Sequence, residues 1–212
     1  EEEITVTIGA VDEVVEIELV NYFIKGNIEL NKVDKDYPDN KLTGAEFEVY
    51  TDTNGDGKLD NGDKLLGTMT ELDGGVYQMK ELRYGKYLVR EKTAPTGFVL
   101  DENVYSVPIE ENGKTYIVEN EAGVGFVNAA QKGSLKIVKT SSDGKIEGFS
   151  FRVTGVDGYD QTFKTDKNGE IYIEGLRIGE YTVSEVNDSV SAGYILPADK
   201  QATVKVGATT IV

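Results

Sequence analysis

The chain has 212 residues, a formal charge of −16, and no Cys, His or Trp. That charge repels phosphate backbones and anionic bilayers, so neither a nucleic-acid partner nor membrane insertion is expected. Without His or Cys, structural zinc, disulfide staples and Cys- or Ser-His nucleophile systems are excluded.

The opening EEEITV carries no signal-peptide features and reads as an interior cut of something longer. Residues Ile4 to Asn21, ITVTIGAVDEVVEIELVN, alternate like the close of a repeat, so 1–21 are expected to be the final strands of a preceding one. From Gly26, GNIELNKVDKD opens a repeat that returns as GSLKIVKTSSD at Gly133. ELRYGKYLVRE, ending at Glu91, returns as GLRIGEYTVSE, ending at Glu185, and turn phrases follow each, APTGF and SAGY. GFVN, ending at Asn128, matches the ELVN that ends at Asn21. The intervening segments are short alternating runs bounded by Gly, Asn and Asp, and no amphipathic helix is present. The expected fold is all-β: tandem β-sandwiches of immunoglobulin-like or transthyretin-like type. Residues 22–131 form a complete unit. Residues 132–212 form a second that lacks its last strand, because ATVKVGATTIV stops before any VN.

The first copy carries an insertion, DTNGDGKLDNGD, that the second lacks. It follows the twelve-residue calcium-loop spacing, with Asp52, Asn54, Asp56 and Asp60 at positions 1, 3, 5 and 9 and the Lys58 carbonyl at 7. Asp63 takes the last place, where EF-hands use Glu. The flanks EFEVY and KLLGTM read as strands, so the loop would stiffen the structure rather than signal. Its alternative is an ion-free Asp-Gly hairpin. No organic cofactor is indicated.

Residues two apart on a strand share a face. Ile28, Leu30 and Lys32 therefore point one way, as do Tyr87, Val89 and Glu91, and Val124, Phe126 and Asn128. In the second copy, Lys139 and Glu185 hold the matching places. If the apolar members face a core, the complete unit aims a Lys, a Glu and an Asn into it. A single such Lys would snorkel to water or form an ordinary salt bridge. The recurrence in register points elsewhere. Burial lowers a Lys pKa and raises that of Glu, leaving a neutral amine beside an amide electrophile and a carboxylic acid able to pass protons. Their chemistry is a Lys–Asn isopeptide bond, made once.

These phrases resemble the CnaB-type domains, the B-region modules of Gram-positive collagen adhesins and pilins. The carriers are the Lys in IELNKVD, the Glu phrase YLVREKTAPTGF (similar to the family's E-box) and GFVN. The resemblance implies Lys32 as nucleophile, Asn128 as acceptor and Glu91 as proton shuttle. It also implies a stalk or pilus subunit anchored in a Gram-positive cell wall. Lys139 and Glu185 match this pattern, but no acceptor Asn follows Val212; Asn21 would serve the preceding repeat.

The leading function is a structural stalk or pilin segment, outside the cell and in contact with neighbouring domains of the same surface protein. The alternative is an adhesin module that binds a host matrix protein or glycan, for which Tyr105, Tyr116 and Tyr159 would be exposed aromatics. A hydrolase finds no singled-out catalytic pair. An open edge on the second unit, together with a spare strand at residues 1–21, also permits head-to-tail strand exchange between chains. DYPDN at Asp36 lacks the Lys of the pilin linkage motif, so polymerised pilin and single-chain adhesin both stay open.

Overall fold

A computed structural model describes residues 4–9, 11, 12 and 14–212. Among these residues the fold is all-β, and the only helical element is a single 3₁₀ turn, Val156–Gly158. No described helix is long and apolar enough to cross a membrane.

The first unit has nine strands: β1 (Lys25–Asp34), β2 (Glu46–Thr51), β3 (Lys64–Thr68), β4 (Thr70–Leu72), β5 (Val76–Arg83), β6 (Gly85–Thr93), β7 (Val104–Ile109), β8 (Thr115–Ile117) and β9 (Phe126–Asn128). One sheet runs β4-β5-β1-β8, with β9 also on β1, and the other runs β3-β2-β6-β7. Strand alternation decides what fills the space between them. Ile28 and Leu30 of β1, Phe47 and Val49 of β2, Val89 of β6 and Phe126 of β9 are fully buried in one cluster. Each such side chain contributes about 1.5–3 kcal/mol. Phe126 meets Phe47 edge to face with ring centroids 4.9 Å apart, which anchors the short β9.

The second unit repeats the plan with β10 (Lys132–Val138), β11 (Ser150–Gly155), β12 (Asp160–Lys164), β13 (Glu170–Arg177), β14 (Gly179–Glu185), β15 (Lys200–Val204) and β16 (Thr209–Ile211). Its sheets run β13-β10-β16 and β12-β11-β14-β15 around Leu135, Ile137, Phe149, Val153 and Tyr181. Details recur between the copies. Both β1 and β10 shift register against their partner just after the Gly of the repeated Lys-Gly phrase, at Gly26 and Gly133. A Cβ on either Gly would strike backbone, Lys114 O at 2.9 Å or Lys205 O at 2.1 Å. Tyr87 donates its hydroxyl hydrogen to Arg83 O, and Tyr181 does the same to Arg177 O. The positive-φ residue inside the long strand is Glu81 in the first copy and Gly175 in the second. Among the described residues, β9 has no counterpart in the second unit.

The described residues from Ile4 to Ile24 form no strand, and their apolar side chains, Ile8, Val14 and Leu19 among them, stay exposed. The reading of this segment as the close of a preceding repeat rests on the sequence pattern. Tyr105, Tyr116 and Tyr159 are not the exposed aromatics anticipated above. All three are half-buried against a core: the Tyr105 ring packs on Phe126 while its hydroxyl donates to Asp101, the Tyr116 hydroxyl accepts the Glu110 and Glu111 amides, and the Tyr159 ring packs edge-on against Tyr181.

The units meet through Arg177. Its guanidinium reaches back to both carboxylate oxygens of Asp34, at 2.6 and 2.8 Å, and to Asp36 at 3.2 Å, and lies over the Tyr37 ring. Lys132 adds an ion pair to Asp36 at 3.0 Å. Burial alone would raise the pKa of Asp34, but the Arg177 bonds outweigh it and the net direction is down.

Candidate functional site

Three strands bring the polar trio together. Lys32 stands near the end of β1, where the alternation that buries Ile28 and Leu30 carries its side chain inward; it is 0% exposed. Glu91 arrives from β6 in the facing sheet, and Asn128 ends β9; both are buried. β9 runs parallel to β1 with Lys32 opposite Phe126 and Asp34 opposite Asn128, so Lys32 and Asn128 share the core face. Gly125 makes this approach possible. Its φ of 133° is open to Gly, and a Cβ there would lie 2.7 Å from Asn31 O.

Lys32 Nζ donates to Phe126 O at 3.1 Å and lies 4.0 Å from Glu91 Oε1. Glu91 Oε2 accepts the Asn128 Nδ2 hydrogen at 2.7 Å and the Asp101 N–H at 2.8 Å. Asn128 Nδ2 also donates to Val99 O. Two buried acceptors, Glu91 Oε1 and Asn128 Oδ1, have no hydrogen-bond partner. Burial lowers the Lys32 pKa to about 8, against the opposing pull of Glu91, and burial raises that of Glu91. Both shifts lean towards the uncharged forms, a neutral amine and a carboxylic acid, which lessen the cost of burying charge here. A neutral amine, a carboxylic acid and a carboxamide held at this range are the ingredients of amide exchange.

In the second unit Lys139 and Glu185 also come together, but differently. Lys139 Nζ donates directly to Glu185 Oε2 at 2.8 Å, and Glu185 Oε1 is buried without a partner. A cavity of about 310 Å³ opens beside them, lined by Val138, Phe151, Ile195 and Val212 among others. Asn21 is exposed, outside any strand and uninvolved in either site.

The acidic loop joins β2 to β3, as its flanks suggested. Its side chains fold back on its own backbone. Asp52 accepts the N–H groups of Gly55 and Gly57, Asn54 that of Asp56, Asp56 that of Lys58, Asp60 that of Gly62, and Asp63 those of Thr53 and Asp60. Lys86 places its ammonium on Gly55 O at 3.1 Å. Among the described residues no three carboxylates converge to hold a metal ion. The calcium expectation rests on spacing alone.

Sequence reasoning missed Asp34, Asp101, Asn120 and Arg177. Asp34 was within reach, being the next residue on the face of Ile28, Leu30 and Lys32. Arg177 had a signal too, since the repeated phrase carries Arg at both Arg83 and Arg177. Nothing in the pattern marks Asp101 or Asn120.

The family described as SpaA, prealbumin-like fold domain, matches twice, over residues 26–122 and 133–212. No curated protein matches the sequence. Among solved structures, the Bacillus anthracis TIE protein is 28% identical with a TM-score of 0.67, over 89% of this chain and 34% of that one. This chain therefore spans about a third of that relative. A C-terminal fragment of the pilus adhesin SpaC from Lactobacillus rhamnosus GG shares the fold at 13% identity and TM-score 0.51, covering 90% of this chain and 96% of the fragment. The shaft pilin SpaA of the same organism aligns at 16% identity over 88% of this chain and 96% of its own, with a TM-score of 0.38, too low to argue from.

Proposed function

This chain belongs to the family of SpaA prealbumin-like fold domains, in two tandem copies, and from that premise we propose that it is a structural segment of a Gram-positive cell-wall-anchored surface protein or pilin, whose first unit is stapled by a self-made isopeptide bond between Lys32 and Asn128. The observation that carries the reading is the fully buried Lys32 facing Glu91 and Asn128, with two acceptors left unpaired.

The neutral Lys32 amine attacks Cγ of Asn128. The Cγ–Nδ2 bond breaks, and Nδ2 departs as ammonia, taking up the surplus amine hydrogen by way of Glu91. Protonated Glu91 polarises the carboxamide as the attack proceeds. The event happens once per chain and involves no turnover. Its mechanical sense follows from topology. Pulling enters through β1 and leaves after β9, so a bond between those strands carries the load past residues 33–127, which lie inside the closed loop. Acidic surface residues and neighbouring units of the same protein complete the picture of an extracellular rod.

Intact mass under denaturing conditions tests the reading. A deficit of one ammonia, mapped to a Lys32–Asn128 cross-linked peptide, is the expected result; a mass equal to that of the sequence overturns it. Calcium binding by Asp52–Asp63 is a separate proposal resting on the residue spacing. It predicts a saturable calorimetric titration with Ca²⁺ that Asp56→Ala weakens, and a flat titration removes it.

A further inference from the structure

β9 is only three residues long, and it pairs with β1 along one edge. A slip of one residue would turn Asn128 away from the core and put Val127 in its place. So short a ladder gives limited protection against that slip, although the buried Phe126 ring contributes.

On the opposite edge of β9, among the described residues, no strand pairs with Val127; a single side chain takes that place. Val127 N donates to Asn120 Oδ1 at 2.6 Å, and Asn120 Nδ2 donates to Val127 O at 2.9 Å. The carboxamide thus presents an acceptor and a donor side by side, as a peptide group in a neighbouring strand would. The second Nδ2 hydrogen goes to Asp101 Oδ2 at 2.7 Å, which also accepts the Tyr105 hydroxyl hydrogen at 2.6 Å. The N–H of that same Asp101 is on Glu91 Oε2. The contacts close into a ring running from Glu91 through Asp101 and Asn120 to Val127 and Asn128, and back to Glu91. The turn that follows Asn120, closed by Asn120 N and Glu121 N on Gly125 O, brings position 120 alongside 127.

We infer that Asn120 is a positioning residue for the Lys32–Asn128 reaction: its carboxamide, braced by Asp101, holds β9 in the register that presents Asn128 to Lys32 and Glu91. The inference rests on the isopeptide reading above and adds a residue that touches none of the reacting atoms. The chemistry of the position is demanding. Asp at 120 would set a carboxylate against both Val127 O and Asp101, and Ala would offer neither donor nor acceptor.

The test uses the full chain produced by cell-free translation, quenched in acid at intervals and weighed intact. Wild type should lose ammonia promptly. Asn120→Ala should do so at least tenfold more slowly while circular dichroism still reports the native β fold, and Asn120→Asp should also be slowed, without a cavity to blame. Hydrogen exchange at the Val127 amide, measured in a Glu91→Gln background where no bond forms, should speed up at least tenfold on adding Asn120→Ala or Asn120→Asp. Wild-type bonding rates in both variants, or unchanged Val127 protection, would overturn the positioning role. Absence of ammonia loss in wild type itself would overturn the isopeptide reading, and the Val127 exchange would then still report separately whether the clamp exists.

Discussion

The two units hold the same Lys–Glu pair in two arrangements. In the second, Lys139 and Glu185 meet directly at 2.8 Å as an ordinary ion pair next to an open cavity. In the first, β9 occupies the corresponding side of the sandwich, and the pair has been drawn apart to 4.0 Å. Glu91 is taken up by the amides of Asp101 and Asn128, and Lys32 by a backbone carbonyl. The contrast teaches that burial of a Lys and a Glu does not by itself decide how they meet. Two opposite charges left to themselves neutralise each other by contact. A strand that competes for the carboxylate and covers the amine separates them, and on the isopeptide reading proposed above that separation is what prepares the pair.

The sharpest way to break this comparison is one substitution made twice. Glu91→Gln should abolish the ammonia deficit, whereas Glu185→Gln should leave it in place, both read by intact mass. Losing a covalent loop of roughly a hundred residues removes about 4–5 kcal/mol on the chain-entropy account, so Glu91→Gln should also lower the denaturation midpoint of the first unit by a corresponding amount. Equal masses for the two variants would dissolve the distinction between the sites.

The joint gives the next largest effect. Arg83 and Arg177 share a place in the repeat, yet Arg177 grips the buried Asp34 while Arg83 lies over the Phe23 ring. Arg177→Ala strands a buried carboxylate and should cost about 3 kcal/mol, with a broader distribution of inter-unit angles by small-angle scattering. Arg83→Ala should do neither.

Acidity sharpens the account of the first site. The reactive arrangement holds one proton, on Glu91, with Lys32 neutral. At low pH both groups are protonated and the amine is no nucleophile; the neutral amine accumulates as pH rises through about 8, where Lys32 titrates. Bond formation followed by timed acid quench should therefore accelerate as pH approaches about 8 and fall again once the proton on Glu91 is lost, and the two limbs belong to the pair rather than to either residue. A rate that climbs steadily to pH 10 would mean that Glu91 acts only as a carboxylate. The smallest contrast lies at the strand irregularity. Glu81 and Gly175 both hold positive φ, at 60° and 70°. Gly175→Ala should cost about 1 kcal/mol in chemical denaturation, and Glu81→Gly should give back less than that, because it loses the side-chain bond from Lys25 while the backbone N–H at 81 keeps its bond to Asn27 Oδ1.

Periodicity made much of this legible. The alternation along IELNKV, YLVRE and GFVN was enough to orient Lys32, Glu91 and Asn128, because a strand allows only two directions for a side chain. The repeat at Gly133 then supplied the architecture. Asn120 was not legible, since its role depends on a turn that folds it against a residue seven places later, and turn geometry leaves little trace in composition. Asp101 was hidden for a similar reason: its decisive contact with Glu91 is made by backbone. The acidic loop shows the converse, where spacing fits a calcium site while the side chains are engaged with their own turns.

Arg177 also has a consequence for how the molecule presents itself. Asp34 lies at the end of β1, two residues beyond Lys32, and its depressed pKa keeps it ionised down past the usual aspartate range. The contribution of this contact is present above that range and fades only as pH falls through the lowered value. A single guanidinium thus acts as a latch between two sandwiches, one whose hold on the first unit depends on two carboxylates, Asp34 and Asp36, and on the Tyr37 ring. Such a latch weakens with salt at Asp36 and holds at the buried Asp34.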